Sequence, residues 1–290
     1  KLNPNFVLTV GDRYETLATA VAATYMNIPL GHIQGGEVSG NLDENVRHAI
    51  TKLSHYHFAT TKKSKQRLIK LGEEKKRIFL TGCPSMDLIN NKNKKIHKNF
   101  EHEIYGTGNI LNPKKPYIVA INHPLSTSTK KNAANAKIFL ESLLLRSEQV
   151  VLFWPNADAG NDILAKTIRD YRETRKMNNF SFIINISPEN YVTLLSNSIC
   201  LVGNSSSFIR EGSQLGIPAV IVGERQNNRE IGENVVRSRF EISEINKKID
   251  FQIKKINFKP QKIYGDGTSG KKIVKIIENL HLDINKVITY

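Results

Sequence analysis

Hydrophobic runs of strand length alternate with helix-length segments along most of the 290-residue chain. The first run covers residues 6–10, and the Ala-rich stretch behind it predicts a helix over Tyr14–Tyr25. Further strand-like runs begin at Ile28, His57 and Ile78, separated by helical patterns that open near Asp43 and at Lys62. Because strands that alternate with helices form parallel sheets, the pattern predicts an α/β fold.

A polar, lysine-rich stretch interrupts this alternation at residues 90–112, where apolar residues show no period. We place a domain junction there, because boundaries between domains fall in such segments. Beyond the junction, strands are predicted to begin at Tyr117, Val150, Phe180, Ile199 and Ala219, with helices between them and a closing helix over residues 270–280. The second half therefore repeats the architecture of the first.

The domain prediction that follows has three parts. An N-terminal Rossmann-like domain covers residues 1–98, a second one covers residues 112–270, and residues 271–290 form a C-terminal segment. The first domain has only about four strands, and the chain starts without Met and close to a strand. We expect that this domain lacks its opening strands and that roughly a quarter of a longer protein precedes Lys1.

Polar loops follow the first two predicted strands, at the sheet edge where open α/β proteins bind ligands. Gly11-Asp12-Arg13 follows the first strand, and Asp12 is either a helix N-cap or a site residue. The loop from His32 to Glu37, with sequence HIQGGE, follows the second. Its two adjacent glycines allow close backbone approach to a ligand or simply a tight turn.

Asp43 and Arg47 are four residues apart and share one face of a predicted helix. They form either a surface ion pair, worth about 0.5 kcal/mol, or part of a site. Asp12, Glu37 and Asp43 lie on successive loops of one sheet edge, so they are expected to converge. Carboxylates gathered in this way shift one another's pKa values apart, which provides an acid and a base at one pH.

The second half offers a histidine and an anion site at the corresponding edge. His123 follows the first strand of this half, and histidine suits acid–base chemistry near neutral pH. The segment from Gly203 to Glu211, with sequence GNSSSFIRE, follows another strand and opens a helix, as phosphate-binding turns do. The alternative is a serine-rich N-cap. Arg225 or Arg229 beside this turn would favour a diphosphate.

Composition and charge narrow the classes of protein. Two cysteines are too few for a disulfide framework, and the eight histidines lack zinc-site spacing, so no metal is expected. There is no apolar run of 18 residues and no apolar signal core behind the first lysine, so we expect a cytoplasmic protein without membrane contact. Neither a GxGxxG nor a Walker loop occurs, which disfavours dinucleotides and ATP.

The net charge of +15 raises the alternative of a nucleic-acid-binding protein. Twelve basic residues cluster in residues 62–98 against Glu73, Glu74 and Asp87. Phe79 is the only aromatic residue in that cluster, so the base-stacking platforms of such proteins are missing. We therefore expect no nucleic-acid partner.

Taken in order, these motifs resemble the hydrolysing UDP-N-acetylglucosamine 2-epimerases of sialic acid and related nonulosonic acid pathways. The resemblance runs from Gly11 to Gly267, nearly the whole chain. The residues that carry it are Gly11-Asp12-Arg13, His32-Ile-Gln-Gly-Gly-Glu-Val-Ser-Gly, Arg47-His-Ala-Ile-Thr-Lys-Leu-Ser-His-Tyr-His, Gly82-Cys-Pro, His123-Pro, Pro155-Asn-Ala-Asp-Ala-Gly, Gly203-Asn-Ser-Ser, Arg210-Glu, Gly232-Glu-Asn and Lys262-Ile-Tyr-Gly-Asp-Gly.

The resemblance implies two Rossmann-like domains of the glycosyltransferase-B type with a cleft between them, and a C-terminal helix that returns toward the first domain. It also implies a reaction that needs no metal or nicotinamide. UDP leaves by elimination after loss of the sugar C2 proton, and water then adds to the glycal to give N-acetylmannosamine. The expected partner is a nucleotide sugar, and we expect a homodimer or homotetramer.

Residue by residue, the resemblance implies three groups at the site. The catalytic group is Asp12, Asp43 and His123, with Glu37 as a further candidate. The expected substrate-binding residues are Arg13, Gln34, Arg47, Asn156 and Asp158. The expected uridine-diphosphate-binding residues are Ser205, Ser206, Glu211, Arg225 and Arg229.

One position departs from the family pattern. The family often has a catalytic Glu where this chain has Gln34, and an amide cannot exchange a proton there. Glu37, three residues further along the loop, is the candidate substitute. The open alternatives are a 2-epimerase of a UDP- or GDP-linked diacetamido-trideoxy sugar, as in legionaminic-type pathways, a non-hydrolysing UDP-N-acetylglucosamine 2-epimerase, and a glycosyltransferase of similar fold.

Overall fold

A computed structural model provides the structure of the protein, and it describes residues 3–39, 42–90, 96, 100–104, 106–125, 129–156, 160–255 and 258–289. Its contacts divide the chain into two compact units. The first unit contains Lys1–Asn90, Asn227–Arg229 and Tyr264–Tyr290, and the second contains Asn91–Gln226 and Glu230–Ile263.

The sheet of the first unit has four parallel strands in the order β1-β2-β3-β4, with the bounds β1 (Val7–Val10), β2 (Leu30–Ile33), β3 (Tyr56–Ala59) and β4 (Ile78–Leu80). Every residue of β2 and β3 is buried, as expected of inner strands covered on both faces. The helices are α1 (Tyr14–Tyr25), α2 (Asp43–Leu53), α3 (Lys62–Lys70), α4 (Ser85–Asn90) and α11 (Ser269–Glu278), with a 3-10 turn at Lys75–Arg77.

Two apolar clusters hold these elements on the sheet. One joins Ala20 and Ala23 of α1 to Leu30 and to Ile50 of α2. The other packs Ile273 of α11 against Phe58 and neighbouring residues of β2 and β3. The helices predicted at these three places therefore pack on the sheet of the first unit.

The second unit has a seven-stranded sheet in the order β11-β10-β9-β6-β7-β8-β5. Its strands are β5 (Thr107–Gly108), β6 (Tyr117–Ile121), β7 (Gln149–Phe153), β8 (Phe180–Ile183), β9 (Cys200–Gly203), β10 (Ala219–Val222) and β11 (Val235–Ser238). Only β5 is antiparallel. The helices are α5 (Phe100–Glu103), α6 (Thr129–Leu144), α7 (Asn161–Thr174), α8 (Pro188–Ser196), α9 (Ser207–Leu215) and α10 (Ile242–Lys254).

The α/β class and the strand–helix order predicted from the sequence are confirmed. Two strands, β5 and β11, carry no predicted counterpart, and β5 lies inside the polar stretch at residues 90–112. That stretch also contains α5, whose Phe100 side chain is fully buried. β5 and α5 are both short, so hydrophobic periodicity had too few positions to reveal them.

Residues 264–270 and Asn227–Arg229, which were predicted to belong to the second domain, fall in the first unit. The Cys83 amide donates to the Tyr264 carbonyl at 2.7 Å, and the Ser269 hydroxyl donates to the Gly82 carbonyl at 2.8 Å. Hydrogen bonds between segments so far apart in sequence leave no periodic signal. They tie the start of α11 to the turn that follows β4.

Candidate active site

Asp12 lies in the turn after β1, at the carboxyl edge of the first sheet. The N-cap position of α1 is Arg13, without a side-chain cap, so the N-cap interpretation of Asp12 does not hold. The Asp12 carboxylate instead accepts a hydrogen bond from Nη2 of Arg47. A carboxylate paired with a guanidinium is stabilised in its charged form. A quarter of the Asp12 side chain stays exposed, which leaves the charged group accessible to a ligand.

Arg47 is buried in α2, with only 2% of its side chain exposed. Besides Asp12, its guanidinium donates to the Glu37 carbonyl oxygen at 3.0 Å and to the Ser39 hydroxyl at 3.5 Å. The surface ion-pair interpretation of Arg47 therefore does not hold. The fork of donors ties the turn after β1 to the loop after β2, which a point charge could not do.

Asp43 is the first residue of α2 and is half-buried, one helical turn before Arg47. The partial positive charge of a helix N-terminus favours a carboxylate at this position. Helix α2 thus presents an acidic residue at its start and a buried guanidinium one turn later. The catalytic role of Asp43 stays a prediction.

Glu37 is buried and uses both of its carboxylate oxygens. Oε1 accepts from the Thr60 hydroxyl at 2.7 Å, and Oε2 lies 2.8 Å from Nη1 of Arg229. The two side chains of this ion pair are 4% and 5% exposed. Glu37 was a candidate base and Arg229 a candidate diphosphate ligand, and the structure pairs them within the first unit. A carboxylate engaged in this way is well placed to hold Arg229.

Gln34 begins the loop after β2 with a positive φ of 71°, which is uncommon for a residue with a side chain. Its amide Nε2 donates to Sγ of Cys83 at 3.5 Å. Nearby, Gly36 has a φ of 73°, and a Cβ there would lie 2.3 Å from the Ser64 carbonyl oxygen. The adjacent glycines therefore serve close backbone packing inside the unit. Unusual backbone of this kind clusters at functional sites.

His32 is a residue whose role the sequence did not reveal. Its Nε2 donates to the Gly11 carbonyl at 2.8 Å, and the Thr51 hydroxyl donates to its Nδ1 at 3.3 Å. Burial lowers the pKa of His32 to about 4, so the ring is neutral at physiological pH. The neutral ring anchors the turn that carries Asp12. The available signal was the parallel pairing of β1 and β2, which places His32 beside the end of β1.

His123 and the serine-rich turn come together at the carboxyl edge of the second sheet. The chain runs from β6 outward through β7 and β8, then returns to place β9 on the other side of β6. Open α/β sheets bind ligands at such a switch point. His123 follows β6 and Ser205 follows β9, so both lie at this point. His123 is largely buried, and the backbone amide of Asn156 donates to its Nδ1 at 3.4 Å.

Asn204 connects these two loops and is a second residue that the sequence did not single out. Its side-chain Oδ1 accepts from the His123 amide at 2.7 Å, and its Nδ2 donates to the His123 carbonyl at 2.8 Å. The backbone oxygen of Asn204 accepts from Nε2 of Gln226 in the loop after β10. Asn204 therefore joins the ends of three neighbouring strands. Its place in the GNSSS motif was the only sequence signal.

The serine-rich turn is not an ordinary cap. Ser206 occupies the N-cap position of α9, but its side chain makes no capping hydrogen bond. The Ser205 hydroxyl instead accepts from the Ser207 amide at 3.3 Å, and the Ser207 hydroxyl contacts the buried Tyr191 hydroxyl. Burial raises the pKa of Tyr191 well above its ordinary value. The turn offers hydroxyls and a helix N-terminus, as anion sites do.

The remaining candidates lie around these two edges or outside the described residues. Glu211 of α9 and Arg225, in the loop after β10, are both half-buried. Arg13 is exposed, with Nε 3.3 Å from the Glu15 carboxylate. Asn156 is exposed. Asp158 lies outside the described residues, so the structure does not place it.

Two general features concern membranes and metals. Among the helices of the described ranges, none combines the length and apolarity that crossing a membrane requires. In the same ranges, His, Cys, Asp and Glu side chains form no group of three or more arranged to hold a metal ion.

The two sheets, each with polar loops at the carboxyl edge of its parallel strands, define an α/β protein of two Rossmann-like units of the glycosyltransferase-B type. A solved structure with this fold is the Methanocaldococcus jannaschii UDP-GlcNAc 2-epimerase in complex with UDP-GlcNAc and UDP. It matches with a TM-score of 0.78 and 18% identity over 95% of this chain and 76% of that one. The family model for UDP-N-acetylglucosamine 2-epimerase matches residues 1–278, and the chain belongs to this family.

Two relatives of known designation are similar over nearly the whole chain. The UDP-N,N'-diacetylbacillosamine 2-epimerase (hydrolyzing) of Legionella pneumophila is 33% identical, over 96% of this chain and 72% of its own length. The UDP-N-acetylglucosamine 2-epimerase of Neisseria meningitidis is 29% identical, over 96% of this chain and 72% of its own length. The similarity thus extends across both units.

Proposed function

We propose that the protein is a hydrolysing 2-epimerase that converts UDP-N-acetylglucosamine and water to N-acetylmannosamine and UDP. The observation that carries the proposal is the adjacency of His123 and the serine-rich turn at the ends of β6 and β9. The His123 ring can transfer a proton, and the serine-rich turn beside it can bind an anion. Together they suit a reaction in which a diphosphate is the leaving group.

The first step is an elimination that requires a base and a stabilised leaving group. The base takes the proton from C2, the C2–H electrons form a C1=C2 double bond, and the C1–O pair leaves with UDP. Asp12 is our candidate base, because its carboxylate lies at the carboxyl edge of the first sheet and a quarter of its side chain is exposed to a ligand. Ser205, Ser206 and Arg225 are the candidate ligands of the departing diphosphate.

The second step is hydration of the glycal. Water adds its oxygen to C1, and a proton returns to C2 from the opposite face, which inverts C2 and gives the free sugar. His123 and Asp43 are the candidates for these proton transfers. Glu37 is assigned to Arg229 rather than to the proton at C2, because its two oxygens are already bonded inside the unit.

The test is incubation of the full-length protein with UDP-N-acetylglucosamine in D2O. We expect release of UDP and of N-acetylmannosamine that carries deuterium at C2. The first step removes the C2 proton, and the second step delivers a deuteron that comes from the solvent. A His123→Ala variant is the control. UDP release no greater than in this variant would refute the proposal for this substrate. A product that stays linked to UDP would identify a non-hydrolysing epimerase, and dependence on a sugar acceptor would identify a glycosyltransferase.

A second candidate substrate is UDP-N,N'-diacetylbacillosamine. Gln34 occupies the position where the family often has a catalytic Glu, and the Legionella relative is named for this sugar. The same assay run with both nucleotide sugars compares their kcat/KM values. A ratio of about 100 or more in favour of the bacillosamine derivative, equal to about 3 kcal/mol of transition-state discrimination, would assign the protein to that sugar.

A further inference from the structure

We infer that Asn204 is a positioning residue, whose side-chain amide holds the His123 loop in register with the serine-rich turn. The inference rests on the proposed function for the role of His123 and gives a role to Asn204, a motif residue to which the sequence alone gave none. Asn204 is 1% exposed, so both ends of its amide act inside the protein.

The amide makes a two-point contact with the His123 backbone. Oδ1 accepts from the His123 N–H at 2.7 Å while Nδ2 donates to the His123 carbonyl at 2.8 Å. The amide presents its acceptor and its donor on two separate atoms, one for the N–H and one for the carbonyl of His123, whereas an ionised carboxylate has no donor. The two hydrogen bonds therefore fix the orientation of the His123 loop as well as its distance from Asn204.

The Asn204 backbone extends the contact to the neighbouring strands. Its N–H donates to the Ile121 carbonyl at the end of β6, at 3.0 Å, and its oxygen accepts from Gln226 at 3.0 Å. Arg237 of β11 donates in turn to the Gln226 carbonyl at 3.0 Å. Residues Asn204 and Gln226 thus tie together the loops after β6, β9 and β10.

Gly203 makes this approach of the chains possible. Its φ is 140°, and a Cβ there would lie 1.8 Å from the Ile121 carbonyl oxygen. A side chain at this position would push β9 away from β6 and break the Asn204 contact with it. Gly203 and Asn204 therefore act together at the switch point of the sheet: Gly203 lets β9 approach β6, and Asn204 then bonds to the loop after β6.

The Asn204 contact affects the reaction by setting the position of the His123 ring. A shift of about 1 Å in a reacting group can lower its rate about 100-fold. Losing the amide is expected to displace the His123 ring while leaving the serine hydroxyls in place. We therefore expect the rate of the chemical step to fall and the affinity for UDP to stay the same.

The test compares Asn204→Ala and Asn204→Asp with matched changes at Asn234, in the full-length protein. Asn234 is 2% exposed, donates to the Ile217 carbonyl at 2.7 Å and accepts from the Ser213 hydroxyl at 3.0 Å. It precedes β11, so it lies at the opposite end of the same sheet from His123. Both asparagines are buried amides that bridge loops, so the stability costs should be similar.

Three measurements are made on each variant: kcat and KM, the Kd for UDP, and the pH titration of the His123 ring by NMR, assigned with His123→Gln. We expect both Asn204 variants to lose kcat by about 10- to 100-fold, with the Kd for UDP within about threefold, and to alter the His123 titration. The Asn234 variants should leave all three unchanged. If Asn204→Ala keeps the wild-type His123 titration, or the Asn234 variants lose as much kcat, the inference is wrong.

The ring titration also separates this inference from the proposed function. If the wild type releases no UDP from either sugar, the proposed function fails, yet the His123 titration still reports whether Asn204 holds the loop. A change in that titration on Asn204→Ala, absent on Asn234→Ala, would support the positioning role by itself.

Discussion

The carboxylate of Glu37 lies 2.8 Å from the guanidinium of Arg229, and both side chains are almost completely buried. The two residues are 192 positions apart in the chain. Thr60 donates to the other carboxylate oxygen, so both oxygens of Glu37 have a hydrogen-bond donor. Two residues predicted for different tasks, proton transfer and diphosphate binding, are therefore parts of one buried pair.

Replacing Glu37 by Gln is expected to lower the free energy of unfolding by about 3 kcal/mol, because it removes the carboxylate that neutralises a buried guanidinium. The double variant Glu37→Gln/Arg229→Gln should recover part of that loss. Urea denaturation of the four proteins of this cycle gives the coupling energy. The exposed pair Arg239–Glu241 is the control, for which we expect a much smaller coupling energy because solvent screens it. Equal coupling energies at the two pairs would contradict the prediction.

Asp12→Asn is expected to lower kcat by about 100-fold or more, because an amide cannot accept the proton from C2. It also removes the carboxylate that neutralises the buried Arg47, so we expect a loss of stability as well, smaller than that of Glu37→Gln because a quarter of the Asp12 side chain is exposed. Steady-state kinetics and thermal melts of the same preparation separate the two effects. Asp170→Asn, on the exposed face of α7, should change neither. A kcat within threefold of the wild type would exclude Asp12 as the base.

Stability is expected to fall as the pH drops from about 6.5 to about 4, because His32 is buried with a pKa lowered to about 4. Over that range the unfolded state binds a proton that the folded state does not, so the free energy of unfolding rises with pH. The full contribution of His32, on the order of 3 kcal/mol, is present above pH 6.5. His57 acts in the same direction, because burial also lowers its pKa.

Denaturation curves at pH 7 and pH 5 measure this difference. His32→Asn should reduce the drop in stability between the two pH values, although it lowers stability at pH 7 as well. His281→Asn, at an exposed position, should leave the drop unchanged. Glu73 does not confuse the comparison. Burial is the largest single influence and raises its pKa, but the combined effects of His57 and Lys286 lower the pKa to about 2, so its contribution is lost only below pH 4.5.

Lys286→Ala is expected to lower the free energy of unfolding by about 2 kcal/mol, because it removes three hydrogen bonds from a charged group. Its Nζ lies 2.6 Å from the buried Glu73 carboxylate and donates to the carbonyls of Thr51 and Ser54 at 2.9 and 2.5 Å. Urea denaturation checks the change, with the exposed Lys271→Ala as the control. A loss no larger than that of the control would show that this lysine adds nothing to stability.

The sequence by itself determined the α/β class, the order of strands and helices, and the places where polar loops follow strands. Hydrophobic periodicity is local, so β1, α1, β6 and β10 could be read from their own residues. The motif series from Gly11 to Gly267 likewise identified the family, which the family match over residues 1–278 confirms.

Only the tertiary structure decided how the polar residues are paired. Arg47 bonds to Asp12 and Glu37 to Arg229, although spacing alone suggested a pair between Asp43 and Arg47. The two hydrogen bonds between the Asn204 side chain and the His123 backbone likewise could not be predicted from the sequence. These contacts join segments tens to hundreds of residues apart, and their partners are chosen by burial and hydrogen-bond geometry, which no local pattern of residues encodes.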